Sequence, residues 1–307
     1  MKKTKKTNAY RDLNLTYSFY SRFLKRFFDF LLSLLMLIIL SPILLILSLL
    51  TLIFNGAPVF YKQARPGKNH RVFHIYKFRS MNNKKDKDGN LLPDAERITK
   101  FGKFLRKSSL DELPQLFNIL KGDMSFIGPR PRLVKDMLFY PEDVYPYYIG
   151  RPGLTGPTQT TGRNQNTWEQ VFEKDIEYMH HVTFWNDVKI FFKTFTSVFT
   201  STGQSHAESE EDKKKEQVKE QEYYYADYVL RIEKINKDQY DRGMELSKQI
   251  TSTKKAKVEF YPELHDAELM KKFLENQNTS PEVAEAETET TAEPEVAEAN
   301  ADKPEEN

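Results

Sequence analysis

Residues Phe27 to Phe54 form an almost wholly apolar run, relieved only by Asp29 and a few serines and threonines. The run is longer than the roughly 20 residues a helix needs to cross a bilayer. A cleaved signal peptide has a shorter apolar core and a small-residue cleavage site, and neither is present, so the run is expected to act as an anchor. Ser41-Pro42 falls at its middle, where proline removes a helical hydrogen bond and predicts a sharp bend. Basic residues flank both ends, Lys25 and Arg26 before and Lys62, Arg65 and Lys68 after. Both ends therefore prefer the same side of a membrane, which a helix-break-helix hairpin satisfies and a straight crossing does not. A proline-kinked crossing fits the length equally well.

Beyond the anchor, Ala57 to Tyr61 and Arg71 to Phe78 are rich in aromatic and β-branched residues around Pro66-Gly67, which predicts a β-hairpin. Lys77 and Arg79 alternate with aromatics at its end. A polar loop, Asn82 to Leu92, leads to a basic helix over Ile98 to Lys107 that carries Arg106. On its own such a helix is an ordinary solvated face; before an acidic pair, it raises the local positive potential.

That pair, Asp111 and Glu112, opens the stretch from Ser108 to Arg132, which ends with Arg130 and Arg132 set between prolines. Two carboxylates near fixed cations suit a phosphorylated substrate and a divalent metal. Ser109-x-x-Glu112 is also a capping box, which gives the acids a purely structural role. Pro114 lacks an amide hydrogen, so the helix can instead begin there and leave both acids on the preceding turn. An apolar helix over Leu113 to Leu120 should stop at Lys121-Gly122-Asp123.

Gly150 to Asn164 is rich in glycine, proline and hydroxyls and holds Arg151 and Arg163. Either it is a plain loop or its amides cradle an anion. Trp168 to Phe199 resumes helical periodicity with large aromatics, suited to a membrane interface or to a core. Asp212 to Ile250 is highly charged, with Val218, Val229, Ile232 and Ile235 at partly helical spacing, which predicts an exposed or coiled helix. A short helix is expected over Glu263 to Glu275. From Pro281 the hexapeptide P-E-V-A-E-A occurs twice in an acidic, low-complexity tail expected to be disordered. The net charge of +2 conceals that tail: its ten acids and one lysine leave about +11 on residues 1–280, which favours anionic partners. The absence of cysteine excludes disulfides and thiolate metal sites.

In order, the chain carries K-R-x-x-D at Lys25, Ser41-Pro42, Gln63-x-Arg65-x-Gly67, K-F-R-S-M at Lys77 and S-L-D-E-L-P-Q at Ser109. K-G-D-M-S at Lys121, G-P-R-P-R at Gly128, R-P-G-L-T-G at Arg151 and G-R-N at Gly162 follow. This series, from about Phe23 to Phe199, resembles the bacterial sugar transferase family, the short-form monotopic polyprenyl-phosphate phosphoglycosyltransferases. The resemblance implies an α+β, mainly helical fold: a basic segment over 1–22, a re-entrant membrane anchor over 23–56 and a cytoplasmic catalytic domain over 57–202. A charged helical extension over 203–280 and the acidic tail, 281–307, lie outside it.

By the same resemblance, the activity is transfer of a sugar 1-phosphate from a UDP-sugar to polyprenyl (undecaprenyl) phosphate, at the cytoplasmic face of the bacterial cell membrane. Such a step initiates exopolysaccharide, capsule or glycan assembly. Asp111 would be the nucleophile and Glu112 its assistant, both holding Mg²⁺. Lys77, Arg79, Arg106, Arg130, Arg132 and Arg151 would contact phosphate, nucleotide or lipid headgroup, and Ser41 and Pro42 would form the membrane helix break. Pro157 to Thr161 departs from the more apolar segment of many relatives, which leaves the sugar open. The rival reading is a catalytically lapsed, membrane-anchored scaffold whose extension recruits polysaccharide-assembly proteins. The enzyme reading expects chemistry to survive deletion of Gln204 to Asn307. Nucleic acid fits the charge but not the anchor.

Overall fold

A computed structural model describes residues 18–160, 166–201 and 224–278. The basic segment before Ser18, Arg163 with its G-R-N motif, most of the stretch around Val218 and the acidic tail lie outside the described residues. The fold is mostly helical with two small sheets.

After a π-helical turn at Tyr20–Leu24, the apolar run forms one helix, α1 (Lys25–Asn55), with Pro42 inside it. This corrects the expected pair of helices around a break. Pro42 has no N–H to offer the Ile38 carbonyl, but the Ser41 hydroxyl donates to that carbonyl at 2.8 Å, so the helix continues through the proline. Asp29, Ser33, Leu37, Leu47, Thr51 and Asn55 form a buried stripe at helical spacing, while Ile38, Leu45 and Ile53 stand exposed opposite. At 1.5 Å per residue the helix is about 46 Å long, and it lies against the rest of the protein from end to end. Arg26 donates to the Ile119 and Leu120 carbonyls at 2.6 and 2.7 Å, and Asp29 accepts from the Ser125 hydroxyl and the Phe126 amide. At the far end Asn55 donates to the Arg79 carbonyl and accepts from the Thr99 hydroxyl.

The expected hairpin is present, but its first strand begins later than Ala57. β1 (Phe60–Pro66) pairs antiparallel with β2 (Val72–Phe78), with Tyr61 opposite Lys77 and Pro66 opposite Val72. A short α2 (Asp94–Arg97) precedes α3 (Lys100–Lys107), and α4 (Gln115–Lys121) ends at Gly122 as expected. A second sheet was not anticipated: β3 (Ser125–Ile127) pairs in parallel with β4 (Gly153–Thr155). Between them, α5 (Val134–Met137) follows the proline-arginine loop. The long helical stretch from Trp168 divides into α6 (Trp168–His180) and α7 (Phe184–Ser201), because the α-helix closes at His181.

The charged extension departs most from expectation. Its described part forms α8 (Tyr225–Arg231), α9 (Lys237–Ser252) and α10 (Ala267–Asn278), the last close to the short helix expected there. In place of an exposed or coiled helix, Val229 and Ile235 are buried in the largest hydrophobic core, beside Phe139, Trp168 and Phe172. Charge on one face of α9 masked an apolar stripe of Leu246 and Ile250 on the other. A smaller core joins α1 to the hairpin and α4 through Leu37, Phe73, Ile75, Leu116 and Ile119.

Candidate active site

Ser109 adopts the left-handed conformation, φ 56°, and its hydroxyl caps no amide, so the capping box does not form. The chain instead makes a 3-10 turn over Leu110–Glu112, and α4 starts only after Pro114. Freed from a helix ladder, both acids sit on a tight turn between α3 and α4. Asp111 is 9% exposed, and Glu112 accepts from Lys77 Nζ at 2.6 Å. Lys77 comes from β2 and Glu112 from the turn ahead of α4, so their register depends on how β2 meets α4.

Asn118 sets that register. It is fully buried; its Oδ1 accepts from the Tyr76 amide at 3.1 Å, and its Nδ2 donates to the His74 carbonyl at 2.8 Å. A helix side chain thus completes the hydrogen bonding of β2 on either side of Ile75. Arg106 is fixed by α3, whose Gly102 presses on the chain after β2: a Cβ there would lie 1.8 Å from the Ser80 carbonyl oxygen. The Arg106 Nε donates to the Ser80 hydroxyl at 2.9 Å.

Burial raises the pKa of Asp111 above the ordinary carboxylate value; Lys77 opposes this, Glu112 adds to it, and Arg106 opposes it. A buried carboxylate whose charged form is favoured by nearby cations is weakly solvated, which suits nucleophilic attack on a centre that itself brings charge compensation. Among the described residues no group of three His, Cys, Asp or Glu is placed to hold a metal. Mg²⁺, however, binds through one or two carboxylates together with phosphate oxygens and waters. Asp111 and Glu112 are carboxylates of the kind such a site uses and would be the residues to hold the ion.

The remaining candidates divide. Arg130, Arg132 and Arg151 line a pocket with Tyr140 and Tyr148. The Arg132 guanidinium lies 4.7 Å over the Trp168 ring, and Arg151 Nε donates to the Gly122 carbonyl at 2.8 Å, just past α4. Burial, and then Arg26, lower the Arg151 pKa; Arg151 in turn lowers that of Lys68, so positive charge is crowded here. Arg79 is turned to the Ala57 carbonyl and Asn83, and its own carbonyl receives Asn55, which makes it a brace for the end of α1. Ser41 and Pro42 lie within α1. Two groups were not among the site candidates that the sequence offered. Asn118 was legible only as one of two amides, with Gln115, in a mainly apolar helix, and Lys62 and Lys121 flank the Tyr76 ring at 5.7 and 4.6 Å.

A family model described as bacterial sugar transferase matches residues 20–201, more than half of the chain. The "Uncharacterized sugar transferase EpsL" of Bacillus subtilis (strain 168) is 45% identical over 167 residues, 54% of this chain and 83% of that protein. The "Undecaprenyl-phosphate galactose phosphotransferase" of Salmonella typhimurium is 42% identical over 192 residues, covering 57% of this chain and 40% of the relative. The "UDP-glucose:undecaprenyl-phosphate glucose-1-phosphate transferase" of Klebsiella pneumoniae is 38% identical over 180 residues, 55% and 39% of the two chains. The match thus spans less than half the length of the two relatives named for a substrate.

Proposed function

Because this chain belongs to the bacterial sugar transferase family, we propose that it moves a sugar 1-phosphate from a UDP-sugar to polyprenyl phosphate, with Asp111 carrying the phosphosugar between the two half-reactions. The observation that supports this most directly is the buried Asp111 carboxylate, next to the Lys77–Glu112 pair and under the influence of Arg106. In the first step an Asp111 carboxylate oxygen attacks the sugar-bearing phosphorus. The bond from that phosphorus to the bridging oxygen breaks, and UMP leaves with the electron pair. In the second, an oxygen of the lipid phosphate attacks the same phosphorus, the acyl phosphate bond breaks, and the Asp111 carboxylate is restored with a lipid-linked diphosphosugar as product.

Lys77 and Arg106 pull the raised Asp111 pKa back down, favouring its ionised form, and would offset charge as the diphosphate approaches. When bound by Asp111 and Glu112, Mg²⁺ supplies Lewis-acid compensation for the phosphate oxygens. Arg130, Arg132 and Arg151 suit the nucleotide phosphates.

A lipid acceptor requires the site to sit at a membrane surface. The single buried stripe along α1, with both helix ends bonded to the same domain, supports an anchor that lies in one leaflet with its exposed apolar face in lipid. The exposed aromatics of α7 extend that face: Trp185 is 76% and Phe192 61% exposed, and the Phe184 ring sits 6.4 Å from Phe28. The cytoplasm is the side expected to hold the UDP-sugar.

Detergent-solubilised protein, given Mg²⁺, polyprenyl phosphate and a panel of UDP-sugars, should release UMP with at least one sugar. Asp111→Asn should abolish release while melting as a folded protein. Undiminished turnover in that variant refutes the assignment.

A further inference from the structure

The family match ends at Ser201, yet the pocket of Arg130, Arg132 and Arg151 is backed by residues beyond it. Met137 and Tyr140, which line the pocket, share one core with Tyr225, Val229 and Leu246. The Tyr225 ring lies 5.1 Å from Trp168 and 5.6 Å from Tyr140, and the Arg132 guanidinium also sits over the Trp168 ring. Tyr225 thus touches both the side chain that seats Arg132 and the side chain that forms the pocket's aromatic wall.

Polar contacts hold the same seam. The buried Asp136 carboxylate, one turn before Tyr140, accepts from the Ala226 amide at 3.3 Å, and Lys135 pairs with Asp227 at 3.0 Å. Gly243 of α9 lets the helix close on Phe139, since a Cβ there would stand 2.2 Å from that ring. The pocket itself presents a buried polar group without a protein partner: the Tyr140 hydroxyl is fully enclosed and makes no hydrogen bond among the described residues. A phenol so placed suits a polar ligand reaching in past the arginines.

We propose that residues 224–278 are a positioning element for the arginine pocket, with Tyr225 as the residue through which they set Arg132 and Tyr140 for a diphosphate-bearing ligand. This rests on the transferase reading only for the identity of the ligand. It replaces the dispensability that the sequence suggests for the extension: the Arg132 guanidinium is seated on the Trp168 ring, against which Tyr225 packs, and displacement of about 1 Å costs up to a hundredfold in such sites.

The test uses the full chain in detergent with Trp185→Phe, which leaves Trp168 as the sole tryptophan, and pyrophosphate as the probe. Titration should change Trp168 fluorescence, and Arg132→Gln should remove the response. Tyr225→Ala should weaken pyrophosphate binding about tenfold or more and raise the KM for donor more than it lowers kcat. Tyr225→Phe should restore both, because the ring and not the hydroxyl makes these contacts. If Tyr225→Ala does not melt cooperatively, Tyr225→Leu keeps the site filled and should show the same binding defect. Unchanged pyrophosphate affinity in a folded alanine or leucine variant overturns the proposal, as does a parent protein that binds no pyrophosphate. Failure of every UDP-sugar to be turned over, with the binding defect present, strikes the transferase reading and leaves this one standing.

Discussion

Replacing Asn118 with alanine tests how the fold places the carboxylate pair. The side chain is fully buried and bonds the Tyr76 amide at 3.1 Å, the His74 carbonyl at 2.8 Å and, weakly, Asp123 at 3.4 Å. Alanine leaves the first two without partners in a dry seam, at about 1–2 kcal/mol each, and opens a small void. A total loss of roughly 2–4 kcal/mol follows, equivalent to a drop of about 5–15 °C in Tm for a chain of this size. Because Tyr76 adjoins Lys77, and α4 follows Glu112, the same change loosens the 2.6 Å ion pair and should lower kcat/KM by roughly tenfold at temperatures where the protein is still folded. Asn118→Asp keeps the acceptor for Tyr76 and should fall between. Thermal melts in detergent alongside UMP release measure both effects. An alanine variant that melts with the parent, or one that melts early with full activity, contradicts the reasoning.

Lys77→Met removes the main attraction opposing burial at Asp111, so its pKa rises further. The acid limb of the kcat/KM profile should move to higher pH, with the loss of activity greatest on the acid side and partly recovered as pH rises; an equal loss at every pH refutes this. Asp175 is pushed up to about 7 by burial, with Arg132 and the Tyr148 hydroxyl opposing. Its folded-state pKa is raised, so its contribution to stability is fully present below about pH 4 and is lost as pH rises through 7. The loss is on the order of 4 kcal/mol at most. Asp175→Asn should flatten the melting temperature between pH 5 and 8.5, with a smaller slope left by Asp136, which burial raises to about 6. A slope identical to the parent's rules this out.

Much of the site could be read from local chemistry. Pro114 cannot continue a helix ladder from its amide, which is why the acids fall on a turn, and Gly122 stops α4 where glycine is expected to. The capping box at Ser109 was misleading because the pattern does not report backbone conformation, and a left-handed Ser109 cannot act as a helix cap. Ser41-Pro42 announced a disturbed helix but not its repair, which depends on one hydroxyl rotamer. The β3–β4 pair, each strand three residues long, carries no periodicity to find. Val229 and Ile235 were visible as a stripe, yet what they would bury against was not: the partner, Phe139 to Trp168, is remote in sequence, and heavy surface charge suggested solvent instead.

The central claim is a covalent one, and intact-mass analysis of protein incubated with UDP-sugar and Mg²⁺ but no lipid acceptor tests it most directly. The account predicts an added mass equal to one phosphosugar, mapped to Asp111, absent from Asp111→Asn and discharged when polyprenyl phosphate is supplied. Product formation on adding acceptor, without any such adduct having formed beforehand, contradicts it.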